Sequence, residues 1–145
     1  MNISIICLGN RLLQTDSFGP CVFDYLQKQN IQKEIEVIEG GTAGLNLLSL
    51  LEGRDRVVFV DAVAGFAPTG EIVILDLEKI IESTKDYRFS HDINLAYALS
   101  VMPMVLTAIP TEIVLIGLEG NWNGHEIKKA AAMSIEFAFS GCIVD

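Results

Sequence analysis

The sequence is poor in cysteine and in positive charge. Its 145 residues include three cysteines, ten lysines and arginines and nineteen acidic residues, which give a formal net charge of -9 at pH 7. The scattered Cys7, Cys21 and Cys142 cannot supply a disulfide framework or a CxxC zinc site. Without a basic run, the chain lacks the positive surface that nucleic acids and anionic membranes attract. We therefore expect neither nucleic acid nor a membrane among its partners.

The sequence also lacks a long, continuous apolar segment. The longest uncharged stretch, residues 93–111, is interrupted by Pro103 and Pro110 and by several polar side chains. A membrane-spanning helix needs roughly 20 mostly apolar residues without such interruptions. The apolar run near the N-terminus is short and has no basic residue before it, unlike a signal peptide. These absences, together with the few cysteines, predict a cytoplasmic protein.

What the sequence does contain is typical of an α/β domain. Half of its residues are apolar and a fifth are charged, which excludes disorder. The length fits one domain, residues 1–145. Short β-rich runs alternate with helical segments, and they predict strands at 3–8, 35–39, 57–60, 71–75 and 113–117. Helices are predicted at about 18–29, 42–53, 90–101 and 125–139.

The connection lengths predict how the strands pair. Residues 62–70 are too few for a crossover helix, so the strand at 71–75 is predicted to pair antiparallel at an edge. The other four strands are each separated by a helix and are predicted to be parallel. The pattern indicates a three-layer sandwich, in which a twisted, mostly parallel five-stranded sheet has helices on both faces.

Three polar residues follow the predicted strands at the edge where ligands bind in such sheets. Asp16 follows the first strand, Asp61 comes directly after the third, and His91 lies at the start of the helix predicted after the fourth. Two carboxylates and an imidazole suit nickel, zinc or cobalt, and three protein ligands leave positions open for water or substrate. We therefore predict that the three side chains meet in a solvent-accessible crevice as a divalent metal site.

Each of these residues also has a purely structural interpretation. Asp16 is suited to be the N-cap of the first helix, and His91 could cap the start of a later helix. Asp61 is harder to explain structurally, because a carboxylate at the end of an apolar strand is costly unless it is paired or ligating. Trp122 is either an anchor on the core or an exposed contact for a partner, and His125 is predicted to be a surface residue.

Other common catalytic patterns are missing. The chain has no GxGxxG after the first strand, no GxxxxGK[ST] and no GxSxG. A receiver-like signalling domain could use Asp61 as phosphoryl acceptor. Such domains, however, carry an acidic pair where this chain has Gly9-Asn10 and a lysine where it has Leu118-Glu119. The three cysteines have no obvious histidine partner and are interpreted as ordinary small apolar residues.

Several segments taken together resemble the hydrogenase maturation endopeptidases. They are LGNRLLQTDSFGP, EGGTAGLNLLSLLEGRDRVVFVDAV, PTGEIVIL, SHDINL and EIVLIGLEG, in this order from residue 8 to about 120. The block GN-x-L-x3-D-x2-G, the GGT-x-GL block and a strand ending in DA are jointly specific. The resemblance implies a twisted five-stranded sheet flanked by helices and an endopeptidase activity. Members remove a C-terminal extension from the large-subunit precursor of nickel–iron hydrogenases after nickel insertion.

The resemblance also implies roles for particular residues. Asp16, Asp61 and His91 match the metal ligands of the family, and Gly40, Gly41 and Thr42 match a segment implicated in handling the substrate. No metal is expected to be bound permanently; nickel is presented by the precursor, and other divalent ions can occupy the site in vitro. The metal could polarise the scissile carbonyl or activate a water, or a carboxylate could act as general base while the metal serves only recognition.

Two alternatives to a peptidase remain at this point. One is a non-catalytic chaperone that checks the precursor for nickel without cutting it. The other is the receiver-like signalling domain built around Asp61.

Overall fold

The chain folds around a five-stranded sheet, seen in a computed structural model that describes residues 1–42, 44–83 and 93–142. The strands are β1 (Ile3–Leu8), β2 (Ile35–Gly41), β3 (Arg56–Val63), β4 (Ile72–Asp76) and β5 (Glu112–Glu119). Their order across the sheet is β2-β1-β3-β5-β4. β1 pairs parallel with β2 and β3, β3 pairs parallel with β5, and β4 pairs antiparallel with β5. The predicted sheet, with one reversed strand at its edge, is confirmed.

Helices cover both faces of this sheet. They are α1 (Phe18–Gln27), α2 (Leu48–Leu51), α3 (Leu77–Glu82), α4 (Ile93–Val105) and α5 (Gly124–Ser140), with 3-10 turns at Gln14–Asp16 and Gly44–Leu47. One core cluster contains residues of α1 and α5, and the other contains residues of α2, α3 and α4. The predicted three-layer sandwich is therefore confirmed.

The central strand β3 is covered by helices on both faces, which accounts for its continuous apolar sequence. All eight of its residues are buried. Val57 and Phe59 belong to the cluster beneath α2, α3 and α4, whereas Val58 and Val60 belong to the cluster beneath α1 and α5. Because successive side chains of a strand point to opposite faces, a strand covered on both sides needs apolar residues at every position.

Some element boundaries differ from the sequence prediction. α3 was not predicted; its N-cap is Asp76, whose carboxylate accepts the N–H of Lys79 at 2.9 Å. The helix predicted at about 42–53 is a 3-10 turn followed by the four-residue α2. The helix predicted at 90–101 is described from Ile93 to Val105, so its predicted first residues lie outside the described part. Within the described ranges, no helix combines the length and apolar character needed to cross a bilayer.

Candidate active site

The loop between β1 and α1 folds back tightly onto the end of β1. Gly9 has a φ of +133°, and a Cβ added there would lie 2.2 Å from the backbone oxygen of Asp16. A Cβ on Gly19 would lie 1.9 Å from the backbone oxygen of Leu8. Both distances are far below van der Waals contact, so only glycine permits this loop path. The two glycines that bound the GN-x-L-x3-D-x2-G block thus fix the position of the aspartate between them.

Asp16 is held at the end of that loop and is almost fully buried, with 9% of its surface exposed. Its carboxylate accepts the backbone N–H of Asn10 at 3.0 Å, and its own N–H donates to the oxygen of Leu13 at 2.9 Å. The interpretation of Asp16 as the N-cap of α1 is wrong. Asp16 instead lies in the preceding 3-10 turn, and its carboxylate is directed at Asn10. The N-cap of α1 is Ser17, whose side chain makes no capping hydrogen bond.

Asp61 lies within β3, where it is paired in register with Gly117 of β5. Its side chain is fully buried (0% exposed), and one carboxylate oxygen accepts the N–H of Ala62 at 2.8 Å. Two expectations are therefore wrong: Asp61 does not follow the strand, and it does not lie in a solvent-accessible crevice. The reason is that β5 continues alongside β3 as far as Val63, which extends both strands past the predicted end.

The carboxyl edge of the sheet brings several of the predicted site residues to one region. The 3-10 turn that ends in Asp16 contacts β3, the strand that contains Asp61. The N–H of Gly9 donates to the oxygen of Gly41 at 3.0 Å, which joins the first loop to the end of β2. By its position in β3, Asp61 shares a face with Phe59 and Val63, which is the face that α4 covers.

The third predicted metal ligand, His91, lies outside the described residues. In sequence it precedes the first described residue of α4 by two positions. Among the residues that the structure describes, no group of three or more His, Cys, Asp or Glu side chains is close enough to hold a metal ion. The three-ligand site therefore stays a prediction.

Gly40 and Gly41 have local structural reasons to be glycine. A Cβ on Gly40 would lie 2.8 Å from side-chain carbons of Ile6 and Leu8. Gly41 has a φ of +58° and open space around its Cα, so it is the backbone conformation and not crowding that favours glycine there. Thr42 is exposed. The two glycines thus carry β2 to an open edge beside the first loop, and their role toward a substrate stays a prediction.

Arg11 fastens the first loop to its neighbours and was missed from the sequence. Its guanidinium donates to both carboxylate oxygens of Asp24, at 2.7 and 2.9 Å, and to Glu39 at 2.9 Å. The hydrogen bonds from Arg11 hold the pKa of Asp24 below its usual range. Asp24 lies in α1 and Glu39 in β2. The hydrogen bonds of Arg11 therefore connect the first loop, α1 and β2 at the edge that carries Asp16.

A pocket of about 490 Å³ opens at the same edge. It is lined by Gln14, Thr15, Ala62, Val63, Ala64, Glu119, Gly120, Asn121 and Trp122. The ring of Trp122 packs edge-on against Phe18, with centroids 5.4 Å apart. Of the two interpretations of Trp122, the anchor on the core is therefore correct, and the residue also forms a wall of the pocket. His125 is exposed at the start of α5, as predicted.

Glu119 organises the loop beside this pocket. Although it is largely buried, its carboxylate accepts three backbone N–H groups, from Gly65 at 3.1 Å, Phe66 at 2.7 Å and Ala67 at 3.1 Å. Three such bonds compensate a buried negative charge. The sequence did not reveal Glu119, because its partners lie more than fifty residues away along the chain.

The cysteines offer no activated nucleophile in the core. Cys7 is buried in β1, and burial, followed by the charges of Glu39 and Asp61, raises the pKa of its thiol. A raised pKa disfavours the reactive thiolate, which supports the interpretation of Cys7 as a small apolar residue. Cys21 is half-buried, whereas Cys142 is exposed and so does not fit that interpretation.

A family model described as hydrogenase maturation protease matches residues 20–141 of this sequence. The chain belongs to the hydrogenase maturation protease family. It is 29% identical over 121 residues to the Hydrogenase 2 maturation protease of Escherichia coli strain K12, a match that covers 81% of this chain and 73% of that protein. A maturation protease is a peptidase, so the receiver-like alternative is not retained.

Solved structures of maturation proteases have the same fold. The hydrogenase maturating endopeptidase HybD from E. coli superposes with a TM-score of 0.77 at 21% identity, over 97% of this chain and 91% of its own. The [NiFe] hydrogenase maturation protease HybD from Thermococcus kodakarensis gives a TM-score of 0.64 at 26% identity, over 95% of this chain and 97% of its own. The sandwich around the candidate site is therefore the maturation protease fold.

Proposed function

We propose that this protease removes a C-terminal extension from the large-subunit precursor of a nickel–iron hydrogenase after nickel has been inserted. In this proposal Asp16, Asp61 and His91 contact the nickel that the precursor carries. The main support is the placement of two buried carboxylates, from separate segments of the chain, at the carboxyl edge of one sheet. Burial of two acids is costly, and a shared cation would offset that cost during the reaction.

The chemistry of the proposed donors fits the cargo. Carboxylate oxygens and an imidazole nitrogen are ligands that nickel accepts, and they can complete a coordination sphere already partly filled by the thiolates of the precursor. Because Asp61 is fully buried in the free protease, contact with nickel requires its surroundings to open when the precursor docks. Such a step would make cleavage depend on a correctly loaded partner.

Two chemical roles for this contact follow. Nickel held between precursor and protease can polarise the scissile carbonyl or activate a water molecule. Alternatively, one of the two aspartates acts as general base while the metal serves recognition. In either case the peptide has to lie across the carboxyl edge, next to Gly40, Gly41 and Thr42, where β2 ends and the exposed Thr42 can meet an extended chain.

The reaction is proposed to take place in the cytoplasm, with the nickel-loaded precursor as partner and no permanently bound cofactor. The support is indirect. The chain carries three cysteines, all of which are free thiols, and it has an excess of nine negative charges without a basic run. These features suit a reducing compartment and argue against binding to nucleic acid or to anionic lipid.

Incubation with a defined precursor tests this function. The large-subunit precursor from the same organism is prepared with and without nickel, and its intact mass is followed by mass spectrometry. We expect loss of a C-terminal peptide from the nickel-loaded sample only. Stable binding of the loaded precursor without any change in mass would instead favour the chaperone that checks for nickel and would contradict the proposal.

A further inference from the structure

The pocket beside Trp122 lies next to both candidate acids. Of its wall residues, Thr15 directly precedes Asp16, and Val63 lies two positions after Asp61 on the same face of β3. Neighbouring Cα atoms are about 3.8 Å apart, and an extended peptide advances about 3.3 Å per residue. A peptide bond held at the two acids would therefore place a side chain a few residues away at the mouth of this pocket.

The lining of the pocket selects for side chains without charge. Its apolar part is the Trp122 ring with Ala62 and Val63, and its polar part is formed by uncharged groups of Gln14 and Asn121 among others. Glu119 is the charged residue in the lining, and both of its carboxylate oxygens already accept backbone N–H groups. The charge of Glu119 would repel an acidic side chain, and a basic one would lose hydration against the apolar walls, which a carboxylate already shared among three N–H groups offsets only in part.

The pocket is built before any ligand enters. Gly120 has a φ of +72°, and a Cβ there would lie 2.8 Å from the side chain of Thr69, so the turn that leads to Trp122 requires glycine. Phe18 supports one edge of the Trp122 ring, and Glu119 fixes the loop at residues 65–67. A preorganised pocket loses little conformational freedom when a ligand binds.

We infer that this pocket is a subsite for an uncharged, largely apolar side chain of the precursor, close to the bond that is cut. The inference rests on the proposed function and makes Trp122 a residue that determines specificity. The occupant is an extended segment of the precursor that is cleaved, since the pocket shares the carboxyl edge with Asp16 and Asp61.

A scan of the precursor combined with pocket variants tests this. Each residue within four positions of the cleaved bond is changed in turn to leucine, lysine and glutamate, and kcat/KM for processing is measured. At one position we expect leucine to exceed both charged residues by about tenfold or more. Trp122→Ala should reduce that preference to less than threefold, while Trp122→Phe keeps most of it. Equal preference profiles in wild type and Trp122→Ala would overturn the assignment.

A second variant tests the pocket independently, because Trp122→Ala also removes the contact of the ring with Phe18 and can disturb folding. Ala64 is an exposed wall residue, so Ala64→Leu fills space without removing a core contact. We expect Ala64→Leu to slow processing of the leucine-bearing precursor about tenfold. Processing of a precursor with alanine at the same position should stay within about twofold of the wild-type rate. The control is His125→Ala, which changes an exposed residue outside the pocket and should process both precursors at the wild-type rate. An equal loss of processing of both precursors by Ala64→Leu would contradict a size-selective subsite.

Fluorescence separates failure of the subsite from failure of the proposed function. Trp122 is the only tryptophan in the chain. A synthetic peptide that spans the cleaved bond, with leucine at the selected position, should shift Trp122 emission to shorter wavelength saturably in the uncleaving Asp61→Asn protease. The glutamate peptide should not. If the precursor is processed but the emission never changes, the subsite is wrong and the function stands. If the emission changes but wild type does not process the precursor, the pocket binds such a side chain but the proposed function is wrong.

Discussion

At the scale of single residues, the two buried aspartates are the most unusual feature of the molecule. Asp16 and Asp61 each accept a backbone N–H, from Asn10 and Ala62 respectively. Removing a carboxylate from water is costly, and such hydrogen bonds offset part of that cost. The proposed contact with nickel gives both buried acids a role in the reaction.

The first prediction concerns the ligands themselves. Asp61→Asn preserves the shape of the side chain, and we expect the variant to fold with an unchanged circular dichroism spectrum but to lose processing of the nickel-loaded precursor. His91→Ala should behave in the same way. The matched control is His125→Ala, which removes the other histidine of the chain from an exposed position and should process normally. Normal processing by Asp61→Asn or His91→Ala would remove that residue from the site.

The second prediction concerns the loop that carries Asp16. In Gly19→Ala the new Cβ would meet the backbone oxygen of Leu8 at 1.9 Å, so the loop must move, at a cost of about 3 kcal/mol in the free energy of unfolding. Gly124→Ala is the control, because its Cβ would meet nothing within 4 Å; it should be neutral or stabilise by up to about 1 kcal/mol. Urea denaturation measures both. A Gly19→Ala protein as stable as wild type would show that this close approach does not hold the loop.

At the scale of elements, polar contacts between chain segments hold the layers in place. Glu52, at the end of α2, accepts the N–H groups of Thr107 at 3.0 Å and Ala108 at 2.8 Å, just after α4. These bonds lower the pKa of Glu52 from its usual value, the bond from Ala108 most. A lowered pKa in the folded state means that the charged form contributes stability above the usual glutamate pKa, and that the contribution is lost as the pH falls through the lowered pKa.

The third prediction follows from the lowered pKa of Glu52, which makes its charged form stabilising. Glu52→Gln should have a lower urea midpoint than wild type at pH 7, and the difference should shrink at pH 3, below the usual glutamate pKa of about 4.3. Glu34→Gln, at an exposed position, serves as control for the loss of one negative charge and should stay within about 0.5 kcal/mol of wild type. An equal deficit of Glu52→Gln at both pH values would exclude the carboxylate as the source of the stability.

The sequence was sufficient to predict most elements of the fold but not their ends. β1 was predicted with its correct bounds, because a strand buried on both faces is a continuous apolar run. β3 and β5 extend further than predicted, because the polar Asp61 and the glycine at position 117 indicate strand ends in the sequence, whereas both residues lie inside the ladder. α3, with six residues, is too short to show helical periodicity.

Candidate site residues could be proposed where the local sequence carries a signal. Asp16 and Asp61 were proposed as site residues because each comes after a predicted apolar strand, at the edge where ligands bind, and their roles stay predictions. Glu119 and Arg11 could not be identified in this way, since their partners come from distant parts of the chain and only the fold brings them together. The burial of Asp61 depends on how far β5 extends alongside it, which no local pattern reports.

At the scale of the whole molecule, the carboxyl edge of the sheet gathers every described feature that the proposed function uses. The first loop, the end of β2, Asp61 and the pocket beside Trp122 all lie there. Convergence of loops at one edge is the general way in which parallel sheets form binding sites. We therefore expect the protease to bind its partner with one surface, which recognises the metal and the peptide together.

In the proposed complex, Asp16, Asp61 and His91 together contact the nickel of the precursor. Nickel X-ray absorption of the complex with a precursor stalled by substitution at the cleaved bond measures this directly. We expect wild-type protease to add oxygen and nitrogen ligands to the sulfur ligands of nickel, and a variant combining Asp61→Asn with His91→Ala to add fewer of them and no nitrogen. A nickel spectrum that stays the same when wild-type protease binds would contradict this three-residue contact.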